Sequence, residues 1–454
     1  MSSLSLQSFA LEYGGELYGD DVLMSSFSTD TRSLHESDTF IALSGPNHDA
    51  HDHVSAAEKA GANALVVERR VDSVLPQLVV PNALQALGAL AKKWCELHQV
   101  PVVAITGSNG KTTVKEMVAT ILRQLGPVLA TEGNLNNDIG LPLTLLKLRD
   151  KHQYAVVEMG ANHVGEIGYL SGLAKPDVAT ITNVSSAHLE GFGSINQIAT
   201  AKSEIFSGMV PGSMAVVNAD DKFSEQMSNA ASHCRRVTFG HAEHADFRCG
   251  TIKNKFTIRS HFGTLQPALA LLGEHNRMNA TAAAAIASCL DVQIETIKAG
   301  LEAMVAVPGR LQRRTSKAGA TVIDDTYNAN PASTKAAIKV LSEQTGERVL
   351  VLGDMRELGD DEISLHADIG NFARDLGIQR LYAVGSLAAH AAHAFGESGM
   401  SFSDKDQLLT ELSAHHHRST TFLIKGSRGS RMEEVVAGLM TMRGNGTPSE
   451  ATLS

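Results

Sequence analysis

Short runs of consecutive apolar residues recur along the chain, separated by glycine- and asparagine-rich turns and by stretches with helical spacing. Val102–Thr106, Tyr154–Glu158, Val178–Thr182 and Met214–Val217 are such runs. Unbroken apolar runs of this length, alternating with helical patterns, predict strands of a parallel sheet covered on both faces. Ala83–His98 and the alanine-rich Asn276–Leu290 have helical periodicity. A second series, Thr321–Asp324, Val349–Leu352, Leu381–Val384 and Thr421–Ile424, predicts another doubly wound sheet with Rossmann-like architecture. Before both lies a region of shorter runs, Thr39–Leu43, Ala64–Val67 and Gln77–Val80, with a helix pattern over Val54–Ala60. The expected organisation is α/β in three domains: a small α/β module over 1–82, a central parallel-sheet module over 83–308, and a Rossmann-like module over 309–454. The polar tail 443–454 is expected to be disordered, and no short-period repeat is evident.

The 454 residues carry 39 Lys and Arg against 49 Asp and Glu, a formal net charge of −10. Such a surface disfavours nucleic acid and anionic membrane, so an anionic ligand must be captured by a local site. The four cysteines are scattered and form no CxxC pair, which points to reduced thiols rather than disulfides or a zinc site. The N-terminus has neither a basic segment nor a long apolar run, and no stretch approaches the ~18 apolar residues of a membrane span. A cytoplasmic, monomeric protein is expected.

Chemistry concentrates after the first central strand, at Gly107-Ser108-Asn109-Gly110-Lys111-Thr112-Thr113. Strand, glycine-rich loop and helix in that order are the context of a phosphate loop. The glycines let backbone N–H groups turn inward, and the helix N-terminus adds partial positive charge. Lys111 would neutralise β- and γ-phosphate charge, and the Thr112 hydroxyl would ligate Mg²⁺. The spacing is a compact GxxGK[ST]; the longer form needs a glycine where Ile105 stands. ATP is the expected nucleotide.

Glu158 ends a strand at the sheet edge where ligands bind, placed to share the Mg²⁺ with Thr112. His188 follows the next strand at the same edge, and Lys202 lies on the helix after it; taken alone, His188 reads more often as a structural histidine than as a ligand, and Lys202 can be a solvated helix lysine. The cluster His48-Asp49-Ala50-His51-Asp52-His53 lacks a second group to complete a metal shell. The run His415-His416-His417 reads as a solvated loop.

In order, these motifs resemble the Mur ligase family. The likeness is carried by Ser28–Arg32 with Phe40–Leu43, the GSNGKTT loop, Gly133–Asn137, Val157–Ala161, Asn183–His188, Gly273–Asn276 with Asn279, Pro308–Arg310, Asp324–Pro331, Gly353–Gly359 and Lys425–Arg428. Within the family, the Asp325–Pro331 segment and GDMRELG resemble the dipeptide-adding branch. The resemblance implies that ATP phosphorylates the terminal carboxylate of a UDP-N-acetylmuramoyl-tripeptide and that D-alanyl-D-alanine attacks the acyl phosphate. It further implies that Gly107–Thr113 hold the ATP phosphates and that Asn137 lies near the γ-phosphate. Asn276, Arg310 and Asp325 would contact nucleotide, the last two reaching in from the third domain, which must then close on the second. Thr112 and Glu158 would hold one Mg²⁺, and His188 a second one supported by a carbamylated Lys202. Thr31, Arg32, Ser44, Asp49 and His51 would form the uridine-nucleotide pocket, with Ala50 standing where relatives carry glycine.

Other members fit less well. Two subgroups begin with a glycine-rich fingerprint that this N-terminus lacks, and the diaminopimelate- or lysine-adding branch carries an Asp-Asn-Pro-Arg motif absent here. Folylpolyglutamate synthases share the ATP core without a UDP-reading first domain of this type. A GTP-hydrolysing switch would carry Asn-Lys-x-Asp, whereas Asn254-Lys255 continues into Phe256-Thr257.

Overall fold

The computed structural model describes residues 4–185 and 189–442. His188 and the tail 443–454 lie outside the described residues.

The central region is built on a nine-stranded sheet in the order Val128–Ala130, Tyr154–Glu158, Val102–Thr106, Val178–Ile181, Met214–Asn218, Arg235–Gly240, Phe247–Ile252, Lys255–Ser260, Gly263–Leu265. The first seven strands run parallel. The last two are added antiparallel, so the expected parallel sheet is extended by a meander that apolar runs did not announce. Alternate residues of Val102–Thr106 enter different cores. Val102 and Ala104 pack with the helix Ala83–His98, and Val103 and Ile105 pack with the helices Lys111–Leu122 and Glu274–Ser288. Burial on both faces is what makes the strand apolar at every position. The chain leaves Val102–Thr106 toward one side of the sheet and later returns to build the other. The reversal puts the carboxyl end of this strand at a topological switch point, where open α/β sheets bind ligands.

The first region forms a five-stranded sheet, Glu16–Tyr18, Gln77–Val79, Ala64–Val67, Thr39–Ile41, Phe27–Ser28, parallel except for its first pair. One face has its own core around Phe40, Leu65 and Val67. The other is continuous with the central core through Trp94, which meets the Phe27 ring edge-on at 5.3 Å and donates Nε1–H to the Leu148 carbonyl.

The last region has six strands, Gln312–Thr315, Thr321–Asp325, Thr420–Lys425, Glu347–Gly353, Arg380–Val384, Gly399–Phe402, parallel after the first pair and covered on both faces. The histidine run 415–417 corrects its reading as a solvated loop. His416 is buried with Nε2 at 2.8 Å from Ser316 Oγ, and His415 and His417 both flank the Glu347 carboxylate. Among the described residues no helix is long and apolar enough to cross a membrane.

Candidate active site

The glycine-rich loop joins its strand to the helix Lys111–Leu122 and is braced by the next strand's exit. Ser108 N–H donates to the Asn183 carbonyl, Asn109 N–H to Asn183 Oδ1, and Thr182 Oγ1 and Asn183 Nδ2 both donate to the Asn109 carbonyl. Gly107 (φ 149°) and Gly110 (φ 82°) are positions where side chains are excluded: a Cβ would collide with Thr182 Oγ1 at the first and Asn279 Oδ1 at the second. With its main chain held from outside, the loop keeps its inner face for a ligand.

That face opens on a cavity of about 530 Å³ between the central and last regions. From the centre come Ser108–Thr113, Asn136, Glu158, Asn276 and Asn279; from the last region come Arg310, Asp325, Asn328, Asn330 and Lys425. Thr112 Oγ1 donates to Glu158 Oε2 at 2.7 Å, and Asn136 Nδ2 donates to Glu158 Oε1 at 2.8 Å. Glu158 is itself fixed, its N–H donating to Thr131 Oγ1. Lys111 Nζ donates to the Gly107 carbonyl at 2.8 Å. Burial pushes the Lys111 pKa below the ordinary lysine value, partly offset by Glu158 and reinforced by Arg310. Thr112 and Glu158 offer two neighbouring hard oxygen donors, the chemistry Mg²⁺ takes.

The last region is closed onto the loop. Arg310 donates from a terminal nitrogen to Thr112 Oγ1 at 2.9 Å, and Asn330 Nδ2 donates to Asn109 Oδ1 at 2.8 Å. The Arg310 guanidinium lies 4.1 Å over the Tyr327 ring, and its Nε is buried without a hydrogen-bond partner among the described residues. An unsatisfied cationic N–H on the wall of a phosphate-loop cavity suits an anionic oxygen. Asp325 does not face the cavity free: it accepts from Lys425 Nζ at 2.6 Å and from Leu311 N–H at 3.1 Å, which fixes the segment carrying Arg310. Asn276 donates to the Leu272 carbonyl and accepts from Asn279 Nδ2.

Asn137, expected near the phosphates, is not among the residues lining the cavity. It is exposed and caps the helix Gly140–Leu145 through Gly140 N–H, while its neighbour Asn136 faces the cavity. The doubled asparagine allowed the one-residue ambiguity. Lys202 is buried, not solvated; burial drives its pKa well below the ordinary value, with repulsion from Lys111 adding to the shift. Sequence reasoning did not single out the loop braces Thr182 and Ser185, the latter donating its N–H to Ser108 Oγ, or the wall residues Asn328, Asn330 and Lys425. All lie inside or beside motifs that were recognised.

The uridine-pocket candidates gather on the first region. Asp30 grips Arg32 bidentately, and the Arg32 guanidinium with its N–H holds the Asp30 pKa down at about 2. Glu68 N–H donates to His51 Nε2 at 2.8 Å, so Nδ1 carries the proton and donates to Asp49 Oδ1 at 2.6 Å. Both His51 ring nitrogens are therefore engaged. Asp49 also accepts from Arg69 and Ser44, and Thr31 is half-buried beside Arg32.

This geometry has relatives. Residues 105–287 match the Mur ligase middle domain and residues 309–428 the Mur ligase glutamate ligase domain. The chain is 43% identical to the UDP-N-acetylmuramoyl-tripeptide–D-alanyl-D-alanine ligase of Escherichia coli K12, over 98% of this chain and 100% of that one. It belongs to the Mur ligase family. Among solved Mur ligases, MurF from Acinetobacter baumannii superposes with a TM-score of 0.91 at 39% identity, covering 97% of this chain and 99% of the other. MurF from Thermotoga maritima, solved in complex with ADP, gives 0.82 at 27% identity over 92% and 97%. The Mur ligase architecture thus extends through all three sheets.

Proposed function

We infer that this Mur ligase joins D-alanyl-D-alanine to a UDP-N-acetylmuramoyl-tripeptide with hydrolysis of ATP to ADP and phosphate. The observation that carries the reading is the junction of Arg310 and Thr112, which makes the phosphate loop one wall of a two-sided site. Near-full-length identity to curated ligases of this specificity supports the substrates.

A carboxylate is a poor electrophile, so an amide cannot form from it directly. The tripeptide carboxylate oxygen attacks the γ-phosphorus, the bond to ADP breaks, and an acyl phosphate results. The dipeptide amine, having lost its ammonium proton, attacks the acyl carbon; the C–O bond to phosphate breaks and the nitrogen gives up a second proton. The protein orients the partners, neutralises charge and excludes water. Lys111 and the amides of Gly107–Thr113 hold the β- and γ-phosphates. Arg310 reaches the transferring group from the last region, with Asp325 and Lys425 fixing its segment. Asn276 serves the nucleotide, and Asn136 takes the place expected of Asn137. Thr112 and Glu158 would hold Mg²⁺, which when bound supplies charge neutralisation at the phosphates. His188 and Lys202 are proposed to support a second ion, Lys202 as a carbamate. A buried amine with a lowered pKa suits that modification, because the free-base form attacks CO₂. Thr31, Arg32, Ser44, Asp49 and His51 are proposed to read the uridine nucleotide. Units 1–82, 83–308 and 309–454 would then carry UDP recognition, ATP and closure respectively, in a cytoplasmic monomer.

Phosphate release measured with each substrate omitted tests the reading. Turnover should require ATP, the UDP-tripeptide and the dipeptide together; ATP hydrolysis indifferent to the last two would overturn it.

A further inference from the structure

The helix Glu274–Ser288 sends Asn276 and Asn279 to the nucleotide cavity, but Glu274, its first residue, meets the sheet instead. Its Oε1 lies 3.4 Å from Nε2 of His241 and 3.7 Å from Sγ of Cys249. His241 follows directly on the strand Arg235–Gly240, and Cys249 sits in the neighbouring strand Phe247–Ile252. The three donor atoms lie within 4.8 Å of one another. Cys249 is buried at the floor of the group, while His241 and Glu274 are half-exposed at its rim.

The parts are held in place from outside. His241 N–H and Ala242 N–H both donate to the Asp220 carboxylate, at 2.6 and 2.9 Å. Arg277 donates to Glu274 Oε2 at 3.0 Å, which leaves Oε1 turned to the histidine and the cysteine. Partners of this kind orient a ligand from behind.

The distances suit an ion between the groups better than direct bonds among them. Around a tetrahedral Zn²⁺, with bonds of ~2.3 Å to sulfur and ~2.0–2.2 Å to nitrogen and oxygen, neighbouring donors stand roughly 3.4 Å (N to O) and roughly 3.6 Å (S to O) apart. The two separations at Glu274 Oε1 are close to these edges. The histidine contact is also longer than the ~2.7–3.2 Å of an ordinary N–H···O bond. One sulfur, one imidazole and one carboxylate suit zinc and not Mg²⁺, which takes oxygen. Three protein ligands leave a fourth position for water. Burial pushes the Cys249 thiol up to about 12, so the sulfur stands protonated at neutral pH and a bound ion would displace that proton to solvent.

We propose that His241, Cys249 and Glu274 form a site for a single zinc-class divalent cation, separate from the Mg²⁺ position at Thr112 and Glu158. It needs nothing from the ligase reading above. Because Glu274 opens the helix that carries Asn276 and Asn279, the ion would pin that wall of the nucleotide cavity to the sheet beside it.

Cobalt(II) is the probe, added alone to nucleotide-free enzyme kept reduced with a phosphine. A tetrahedral cobalt–thiolate site has strong visible absorption and a sulfur-to-cobalt charge-transfer band, both bleached when zinc replaces cobalt. Wild-type enzyme should gain these bands with a single Co²⁺ per chain, and Glu158→Gln should keep them. Cys249→Ser should lose the charge-transfer band. His241→Gln, at a half-exposed position where the fold is not at stake, should weaken cobalt binding by about tenfold or more, since even a ligand's outer partners are worth that much. Absence of a thiolate band in the wild type overturns the proposal. So does a band that survives Cys249→Ser, or an unchanged cobalt affinity in His241→Gln; the last decides the matter alone if the serine variant does not fold.

Discussion

Arg310, the second residue after Pro308, donates to the hydroxyl of Thr112, the residue after the phosphate-loop lysine, at 2.9 Å. The same hydroxyl donates to Glu158. Three regions of sequence, 198 and 46 residues from Thr112, therefore meet on one oxygen. The closed arrangement depends on side chains that the reaction also needs.

Arg310→Ala should cut turnover by about 10²- to 10³-fold, the usual loss when one donor to developing charge is removed. Arg310→Lys should recover little, because a lysine cannot reach Thr112 while offering a second N–H at the Nε position. Phosphate-release kinetics at saturating substrates check this; a loss confined to KM for ATP would restrict Arg310 to nucleotide binding.

Lys111→Ala should abolish measurable ligation with the fold intact. Lys111 Nζ is anchored only to its own loop's Gly107 carbonyl among the described contacts, so its removal strands no distant partner. Circular dichroism together with the ligation assay decides it. Near-normal turnover would remove the phosphate role.

Lys202 gives a pH-dependent prediction. Its folded pKa is lowered by burial, so between the folded and unfolded pKa values the unfolded chain binds more protons than the folded one, and stability rises with pH across that window. The penalty is full below the folded pKa and vanishes above the unfolded value of about 10.4. Lys202→Met should raise the thermal midpoint at pH 7 in CO₂-free buffer, with the gain shrinking toward pH 10, while turnover falls. A midpoint difference independent of pH would show that burial does not lower the amine's pKa.

Asp49 carries the opposite sign. Hydrogen bonds from His51 and Arg69 hold its carboxyl well below the usual carboxylate range. The stability it contributes is present above the unfolded pKa of about 3.9 and is lost as pH falls through the folded value. Asp49→Asn should lower the thermal midpoint at pH 7, and the gap to wild type should close in acid. It should also raise KM for the UDP-tripeptide and leave KM for ATP unchanged, which steady-state kinetics with each substrate varied will show.

Much of this site could be read from the chain because its parts are local. The phosphate loop is seven consecutive residues, and the strands around it are buried on both faces, so their apolar runs are unbroken. The meander 247–265 escaped notice because its strands lie near the sheet edge and include polar residues such as Arg248, Lys255 and Arg259. Asn136 faces the cavity and Asn137 caps a helix, a division that a doubled asparagine does not reveal in sequence. The histidine run looked solvated because three polar residues in a row usually are. His416 is buried against Phe422, with Ser316, 100 residues earlier, as the partner of its Nε2. Each miss turns on a contact between residues distant in sequence or on which way a side chain points.

The crossing from the central to the last sheet also has a mechanical meaning. Strands up to Leu265 belong to the first two regions and strands from Gln312 to the third, so one covalent passage, 303–311, joins them. Gly309 in it has a φ of 72° and sits tightly against Tyr327. Arg310 follows Gly309 directly, so any turn of the last region about this passage would act at once on the backbone that carries the Arg310–Thr112 contact. Hinge and nucleotide clamp would then be a single mechanical part, and the last region could not open without loosening its hold on the phosphate loop.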